Sequence, residues 1–501
     1  MRQPPRWIAG LVAGTLACGV ASSTAHADDA TPPVIKTPDP GEDHQVHWVT
    51  TLVFAALKFG ASAAYYWSTQ GQQEVDWVYP SWADKFSLRA VRFDTNPFYV
   101  NAVRHPITGA ADYLDARSNN FGVLGSLAFT FGTGFMWEYF VETYEDPAIN
   151  DLIMNPVGGI GIGEPLYQIG QLWRGGELSY ADRARTLLFS PYDAVQDVWR
   201  KHAWYRPKAY ADFKFSAGPA AHFMSQAQRA ELGFALDFDV IRHPGYVEPG
   251  AHTDELPTGA WTRLQYEQRF GYAGEGLQSV SSKFHSQTTL VGYYKQDDDG
   301  VGEMIAPSVG YTFRHERLAH EWDKLVIGHL FGPQAQLSWR KSGYAIRWDA
   351  AAYVDFAMVQ AHVFGPVSPL PAPPPLLSTL QAEGYYDAGA LSAMSRLRLD
   401  AGPWHADAEV WAHQFWSLDF ADRAEVNEQV QVRTTTGTVA IPAEPHGTQD
   451  ERVFAHVDLG YRDRIWGVEG VFDAAYRRGQ WESLSRDDWD YSLGVNATAN
   501  F

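Results

Sequence analysis

Trp489-Asp490-Tyr491-Ser492-Leu493-Gly494-Val495-Asn496-Ala497-Thr498-Ala499-Asn500-Phe501 alternates apolar and polar residues without exception. Side chains of a β-strand point to opposite faces with a period of two, so one face of this strand is apolar and the other polar. A strand with one face in lipid and one in a polar lumen belongs to a transmembrane barrel. Phe501, with Trp489 and Tyr491 behind it, has the form of an assembly signal read by the barrel-assembly machinery. The other reading is an amphipathic strand of a soluble sandwich.

The same pattern recurs toward the N-terminus. Trp466, Val468, Phe472, Ala474 and Tyr476 alternate with Glu469, Asp473 and Arg477. Leu391, Ala393, Leu397 and Leu399 alternate with Arg396, Arg398 and Asp400, and Tyr344, Ile346, Trp348 and Ala350 with Arg347 and Asp349. Further runs start near Ala209, Leu232, Thr262, Phe284, Ile305, Pro333, Trp404 and Val453. The total is twelve strands, an even number as single-chain bacterial barrels require. Short turns are expected at 297–301, 341–343, 401–403 and 462–464, and long loops at 315–330, 365–381, 421–449 and 480–488. Short and long alternate, which puts the C-terminus and the preceding domain on the periplasmic side. The long connection 243–260 breaks the rule.

The chain opens as a secretory signal peptide does. Arg2 and Arg6 precede an apolar run, and Ala25-His26-Ala27 forms a cleavage site before Asp28. The only cysteine, Cys18, lies inside that run, so the mature chain is expected to lack thiols, disulfides and thiolate metal sites. Lipidation at Cys18 is the alternative, but Thr15 stands where an aliphatic residue is expected. Removing residues 1–27 takes the net charge from −20 to −22. Such a chain is repelled by phosphate backbones, which excludes nucleic acid as a partner.

The organisation expected is a signal peptide (1–27), an acidic Pro-rich linker (28–46), a helical domain (47–205) and a barrel (206–501). The fold class is α+β: an N-terminal helical domain followed by an antiparallel transmembrane β-barrel of about twelve strands. Two apolar stretches, 48–68 and 119–137, are long enough to cross a bilayer. A precursor bound for the outer membrane must not stop in the inner one. Both are therefore read as helices buried among themselves, in the barrel lumen, or against the membrane's inner leaflet. An inner-membrane protein is the competing reading.

From His105 to Glu164 the chain resembles an uncharacterised bacterial envelope family, domain of unknown function number 3943. The resemblance is carried by His105-Pro106, Gly109, Tyr113, Ala116-Arg117-Ser118-Asn119, Trp137-Glu138-Tyr139, Glu142, Pro147, Ile149-Asn150-Asp151, Gly158-Gly159 and Gly163-Glu164. The family pattern has Pro-Ser before Ile-Asn-Asp; here Ala148 replaces the serine, which removes a nucleophile from that point. The resemblance implies no established activity.

On an α-helix Glu138, Glu142 and Glu145 would share a face, and their repulsion calls for cations, with Arg104, His105 and Arg117 nearby in sequence. They either form structural ion pairs or, with Asp151, build an acid–base or metal site: His105, Glu138, Glu142 and Asp151 as catalytic candidates, and His105, Glu138 and Glu142 as metal candidates. No cofactor is assigned. Asp146-Pro147 reads as the start of a short helix to Met154. Gly159, Gly161 and Gly163 read as a close-packing surface. His315-Glu316 and His320-Glu321 have the wrong spacing for a zinc helix and are placed on a loop. Asp297–Gly300 reads as a tight turn.

Two functions follow. One is an outer-membrane barrel in envelope transport or interaction, its helices a plug or periplasmic module, its partners membrane lipids and a small solute or envelope component in the lumen. The other is a membrane-surface enzyme acting on a lipid or other envelope substrate through His105 and the carboxylates.

Overall fold

The computed structural model describes residues 45–500 except 71–79, 175–178, 198–209, 247–249, 273–275, 365–383, 419–429, 435–436, 442–446, 482–483 and the single positions 95, 226, 244, 320 and 464. The segments expected as signal peptide (1–27) and, for the most part, linker (28–46), and Phe501, lie outside the described residues.

Twelve strands close into a barrel. In chain order they are β1 (Tyr210–Met224), β2 (Ala227–Ile241), β3 (His252–Leu256 and Trp261–Tyr272), β4 (Leu277–Thr289 and Gly292–Gln296), β5 (Val301–Arg317) and β6 (Trp322–Lys341). Then follow β7 (Tyr344–Gln360), β8 (Tyr385–Ala401), β9 (Trp404–Ser417), β10 (Gln449–Asp463), β11 (Trp466–Trp481) and β12 (Leu484–Asn500). Every pairing is antiparallel between chain neighbours, and β1 pairs with β12 to leave no edge. The final strand faces as its alternation dictates. Trp489, Tyr491, Leu493 and Val495 point outward and exposed, while Ser492 and Thr498 are buried inside.

The anomalous connection after β2 is explained by β3 being built in two pieces. His252–Leu256 pairs with Gly292–Gln296 and prolongs the β3–β4 hairpin beyond the end of β2, where Ile241 meets Trp261. Two expected long loops are corrected. β5 runs to Arg317 and β6 starts at Trp322, and β11 runs to Trp481 with β12 starting at Leu484. The charges that look loop-like at the first of these, Glu316 and Asp323, point into the lumen and pair with Arg477 across the barrel. The long connections that remain, 361–384 and 418–448, leave from the same end of the barrel, and the second carries a hairpin of Val430–Thr434 with Gly437–Ile441. The turn at 297–300 is as read: the Asp297 carboxylate accepts from the amides of Asp299 and Val301, and Gly300 takes φ 80°.

The helices are α1 (Trp48–Tyr65), a short α2 (Trp82–Phe86), α3 (His105–Ser118), α4 (Val123–Met136), α5 (Ile149–Gly158), α6 (Glu164–Trp173), α7 (Tyr180–Phe189) and α8 (Pro191–Gln196). Wide π turns at Val100–Arg104, Trp137–Val141 and Gly159–Gly163 join several of them. The helix expected from Asp146 starts later, at Ile149, because Asp146 is held by Arg92 at 2.7 Å and Ala148 forms a parallel bridge with Arg92.

These helices lie on the outside of the barrel. Phe98, Ala102, Met154 and Val157 pack against Tyr311, Val326, Phe356, Met358 and Tyr385, and Ile169 and Leu172 pack against Val240 and Leu264. Each of those strand residues alternates with a lumen-facing neighbour, such as Asp239, Arg263, Thr312 or Asp355. The lumen plug anticipated for the helices is therefore corrected: among the described residues the lumen is filled by the wall's own side chains. Toward the long-loop end these are apolar, including Tyr353, Trp411, Phe415, Phe454 and Trp481. Ala361 and Val363, just after β7, join them.

The seam between helices and wall is tight. The Ser286 hydroxyl donates to the Gly161 carbonyl at 2.5 Å, and a Cβ on Gly161 would stand 2.8 Å from the Gly310 carbonyl oxygen. A Cβ on Gly132, in α4, would meet nothing within 4 Å. Gly161→Leu should destabilise the protein by about 1–3 kcal/mol through overpacking. The shift should appear as a lower urea midpoint for loss of the folded, fast-migrating gel band, with Gly132→Leu unchanged.

Candidate functional site

α3 and α5 run side by side because glycines let them. A Cβ on Gly109 would stand 1.8 Å from the Asn155 carbonyl oxygen, and one on Gly158 would stand 2.3 Å from the Pro106 Cα. That approach sets the first turn of α3 against the last turn of α5, and from there His105 Nε2 reaches to 3.1 Å from Asp151 Oδ2 in the first turn of α5. Asn150 Nδ2 donates to Asp151 at 3.1 Å and to Asp94 at 2.8 Å, and Asn101 Nδ2 donates to the same Asp94 oxygen at 2.5 Å. Asn101 also donates to the Tyr385 hydroxyl at 3.1 Å, which ties the cluster to β8 of the wall. The result is a buried chain of imidazole, carboxylates and amides at the long-loop end of the helical layer.

Glu138 and Glu142 do not join His105 as ligands. The Trp137–Val141 segment is a π turn, and Glu142 lies beyond it with non-helical φ −83° and ψ 59°, so the single acidic face expected of an α-helix is not formed. Glu138 Oε2 accepts from the Ala148 amide at 2.9 Å, and Glu142 Oε1 from the Trp137 indole at 2.7 Å. The Lys85 ammonium, 1 % exposed, donates to the Glu142 carbonyl at 2.8 Å and the Glu138 carbonyl at 3.3 Å. Both glutamates thus organise the π turn and the segment leading into α5. Of the candidates, only His105 and Asp151 come into direct contact.

The cations also pair otherwise than the sequence suggests. Arg117 binds Glu164 through two nitrogens, Nε at 2.8 Å and Nη2 at 3.0 Å. Glu164 further accepts from the Tyr113 hydroxyl at 2.8 Å and Gln168 Nε2 at 2.6 Å. Sequence reasoning missed Glu164 as a site because it stands 47 residues from Arg117. The signal available was a carboxylate immediately after three closely spaced glycines, where neighbouring helices come close. Lys58 of α1 pairs with Asp112 of α3, another link invisible in the linear order.

Triads of metal-ligating type lie elsewhere: Glu321, His362 and Asp488 at the long-loop mouth, and His405, Asp458 and Glu469 in the lumen. A protein cation already serves each. Arg486 lies 2.7 Å from both Glu321 and Asp488, and Lys214 lies 3.0 Å from Asp458 and 3.1 Å from Glu469. His315, read as a loop residue, is in β5 and stacks on Trp322 at 4.3 Å between ring centroids.

Residues 90–192 match the family model of DUF3943, a domain of unknown function. The DUF3943 segment thus runs from the strand bridge at Arg92 through α3–α7 into α8, and holds the His105–Asp151 pair, the Arg117–Glu164 pair and the glycines of the seam. No curated protein matches the chain. Among solved structures, the translocator domain of the autotransporter NalP from Neisseria meningitidis is 10% identical, covering 64% of this chain and 96% of that one, with a TM-score of 0.21. The P. putida toluene transporter TodX is 8% identical over 58% and 90% of the two chains, with a TM-score of 0.18. OprD of Pseudomonas aeruginosa is 6% identical over 58% and 95%, with a TM-score of 0.17. These are likenesses of barrels. The architecture here rests on the strand pairing.

The two kinds of glutamate should separate on substitution. Glu164→Gln leaves the Arg117 guanidinium without its counter-charge and should cost roughly 3–5 kcal/mol. Glu138→Gln retains an oxygen acceptor for the Ala148 amide while removing a buried charge, and should leave stability unchanged. Unfolding midpoints and trypsin resistance of the two variants check this.

Proposed function

We propose that the protein passes small hydrophilic solutes or ions across the outer membrane, through a lumen held shut by its own ion pairs. The observation that carries this reading is a pair of cavities lined by charged side chains that meet at a shared ion-paired lining. A cavity of about 210 Å³ in the lumen is lined by charged groups, among them Glu231, Arg269, Lys283 and Asp473. A second, of about 60 Å³, lies toward the short-turn end among Asp212, Arg340, Arg347 and Arg398. Lys214 and Asp237 line both.

The two are fixed by charge. Lys214 reaches Asp458 and Glu469, and Asp237 takes Arg396 at 3.1 Å and the amide of Gln265 at 3.1 Å. An ion entering from either side competes for the same partners. Exchange of ion pairs of this kind opens a path without moving a strand. The short-turn end, where β1 begins and β12 ends, faces the periplasm in this reading.

A second reading, a membrane-surface enzyme on a lipid or other envelope substrate, has the His105–Asp151 pair in its favour.

Planar-bilayer recordings of the full chain test both. Lys214→Ala and Asp237→Ala each remove volume and charge from the shared lining and should raise single-channel conductance over wild type, while His105→Asn should leave it unchanged. Silent bilayers for all three variants, with each protein folded by gel mobility, would end the conduit reading. Loss of function in cells with His105→Asn, at normal level and conductance, would favour the enzyme.

A further inference from the structure

We infer that the helical layer is itself immersed in the outer membrane, its outward face covered by lipid acyl chains. The inference is independent of what the lumen carries. Its first support is depth. The layer touches Val309, Tyr311 and Phe313 near the middle of β5, Val326 toward the long-loop end of β6, and Val240 and Phe213 close to the short-turn end. Whatever packs on the outer wall of a transmembrane barrel at the middle of its strands is at bilayer depth, because the apolar band there is about 25 Å tall.

The second support is the face the layer turns away from the barrel. α1 exposes Val49, Leu52, Val53 and Leu57, spaced three and four apart, with Leu57 66% exposed. α4 adds Leu124, 79% exposed, and Phe131. The polar groups of the same helices turn inward: Lys58 to Asp112, Thr133 to Asp112 at 2.9 Å, and Thr130 to the Ser126 carbonyl at 2.9 Å. This is the polarity of a helix against lipid and the reverse of a surface helix in water. The stripe continues the outward belt of the bare wall, where Leu391, Leu397, Leu459 and Val495 are exposed in the same way.

The third support is length. α1 and the turn after it, Trp48–Ser68, form one apolar segment of 21 residues, most of them exposed. At about 1.5 Å per residue it spans roughly 30 Å, the thickness of a bilayer core. Trp48 stands at one end and Tyr65 and Trp67 at the other, all exposed, as interfacial aromatics flank a membrane crossing. α1 is also held at both ends of the helical layer. Its start is held at the Asn119–Phe121 end of α3, through the His47 amide and the Trp48 ring, and its far end reaches Glu145 beyond the Trp137–Val141 turn.

Cys18 is the chain's only cysteine, so a Cys18→Ser background makes single labels straightforward. Leu57→Cys and Leu124→Cys in the full chain, each carrying a nitroxide and reconstituted in phosphatidylcholine vesicles, should relax with oxygen and lose relaxation by a water-soluble nickel chelate. Leu397→Cys on the bare wall should behave identically, and Asp298→Cys in the 297–300 turn should show the opposite. Two sites guard against one variant failing to assemble, which gel mobility reports. Nickel relaxation at both sites would overturn the inference, placing the face in water. Shielding from oxygen and nickel alike, with a cross-linked dimer, would also overturn it, placing a second copy there.

Discussion

The lumen must neutralise its own charge, and the rest of the architecture follows from that constraint. Arg263, Arg347, Arg396, Arg398 and Arg477 all point inward, and each meets a carboxylate contributed by another strand. Several partners come from strands distant around the ring: Arg347 of β7 reaches Asp239 of β2 at 2.6 Å, and Arg269 of β3 reaches Asp473 of β11 at 2.5 Å. A charge taken from water without such a partner costs several kcal/mol, so the pairs act as struts that set the spacing across the barrel. Struts leave no room for a plug. The helical domain is accordingly accommodated outside.

How far the fold can be read from sequence follows the same division. A strand in this wall carries its instruction locally, since lipid on one side and charge on the other impose a period of two on every segment. Twelve strands and the facing of β12 are legible for that reason. The instruction fades where both faces are buried. The ends of β5 and β6 carry Tyr311, Phe313 and Val326 against helices outside and Glu316 and Asp323 against Arg477 inside, so charge and aromatic residues interleave and read as a loop. The start of β3 is hidden for another reason: Pro257–Ala260 interrupts it, and the His252–Leu256 piece has no neighbour beyond β4 to impose a pattern.

The candidate site was legible in membership more than in geometry. His105 and Asp151 meet because glycines at 109 and 158 let two helices touch, and glycine spacing is visible in a sequence. Glu138 and Glu142 escape that reading because the segment that carries them is not a regular α-helix. A π turn advances the chain by a wider step, and the extra residue between Trp137 and Val141 carries the two carboxylates onto different partners. Nothing in the local sequence announces that step. It is set by tertiary contacts, among them Lys85 on the two carbonyls and Arg92 on the strand bridge. Pairs such as Arg117–Glu164 join α3 to α6 across the bundle and have no local signature at all.

The Gly159–Gly163 turn shows how one segment serves two surfaces. A Cβ on Gly163 would crowd Tyr113 and Ala110 of α3, and one on Gly159 would crowd Thr130 of α4, so these two face the bundle. Gly161, midway between them, faces Gly310 of the wall. A regular helix would place positions two apart on nearly opposite sides, which is what a layer sandwiched between a barrel and its own outer helices requires. On the wall side the match is reciprocal, since Gly328 of β6 accepts Val157 of α5 where a Cβ would stand 2.3 Å from its Cγ1. Glycine on both partners brings backbones together and replaces side-chain packing with direct contact, as the Ser286 hydrogen bond to the Gly161 carbonyl illustrates. Between two apolar surfaces in lipid there is no hydrophobic gain from association, so close backbone contact and hydrogen bonds are what remain to hold them. The seam is built from those two elements.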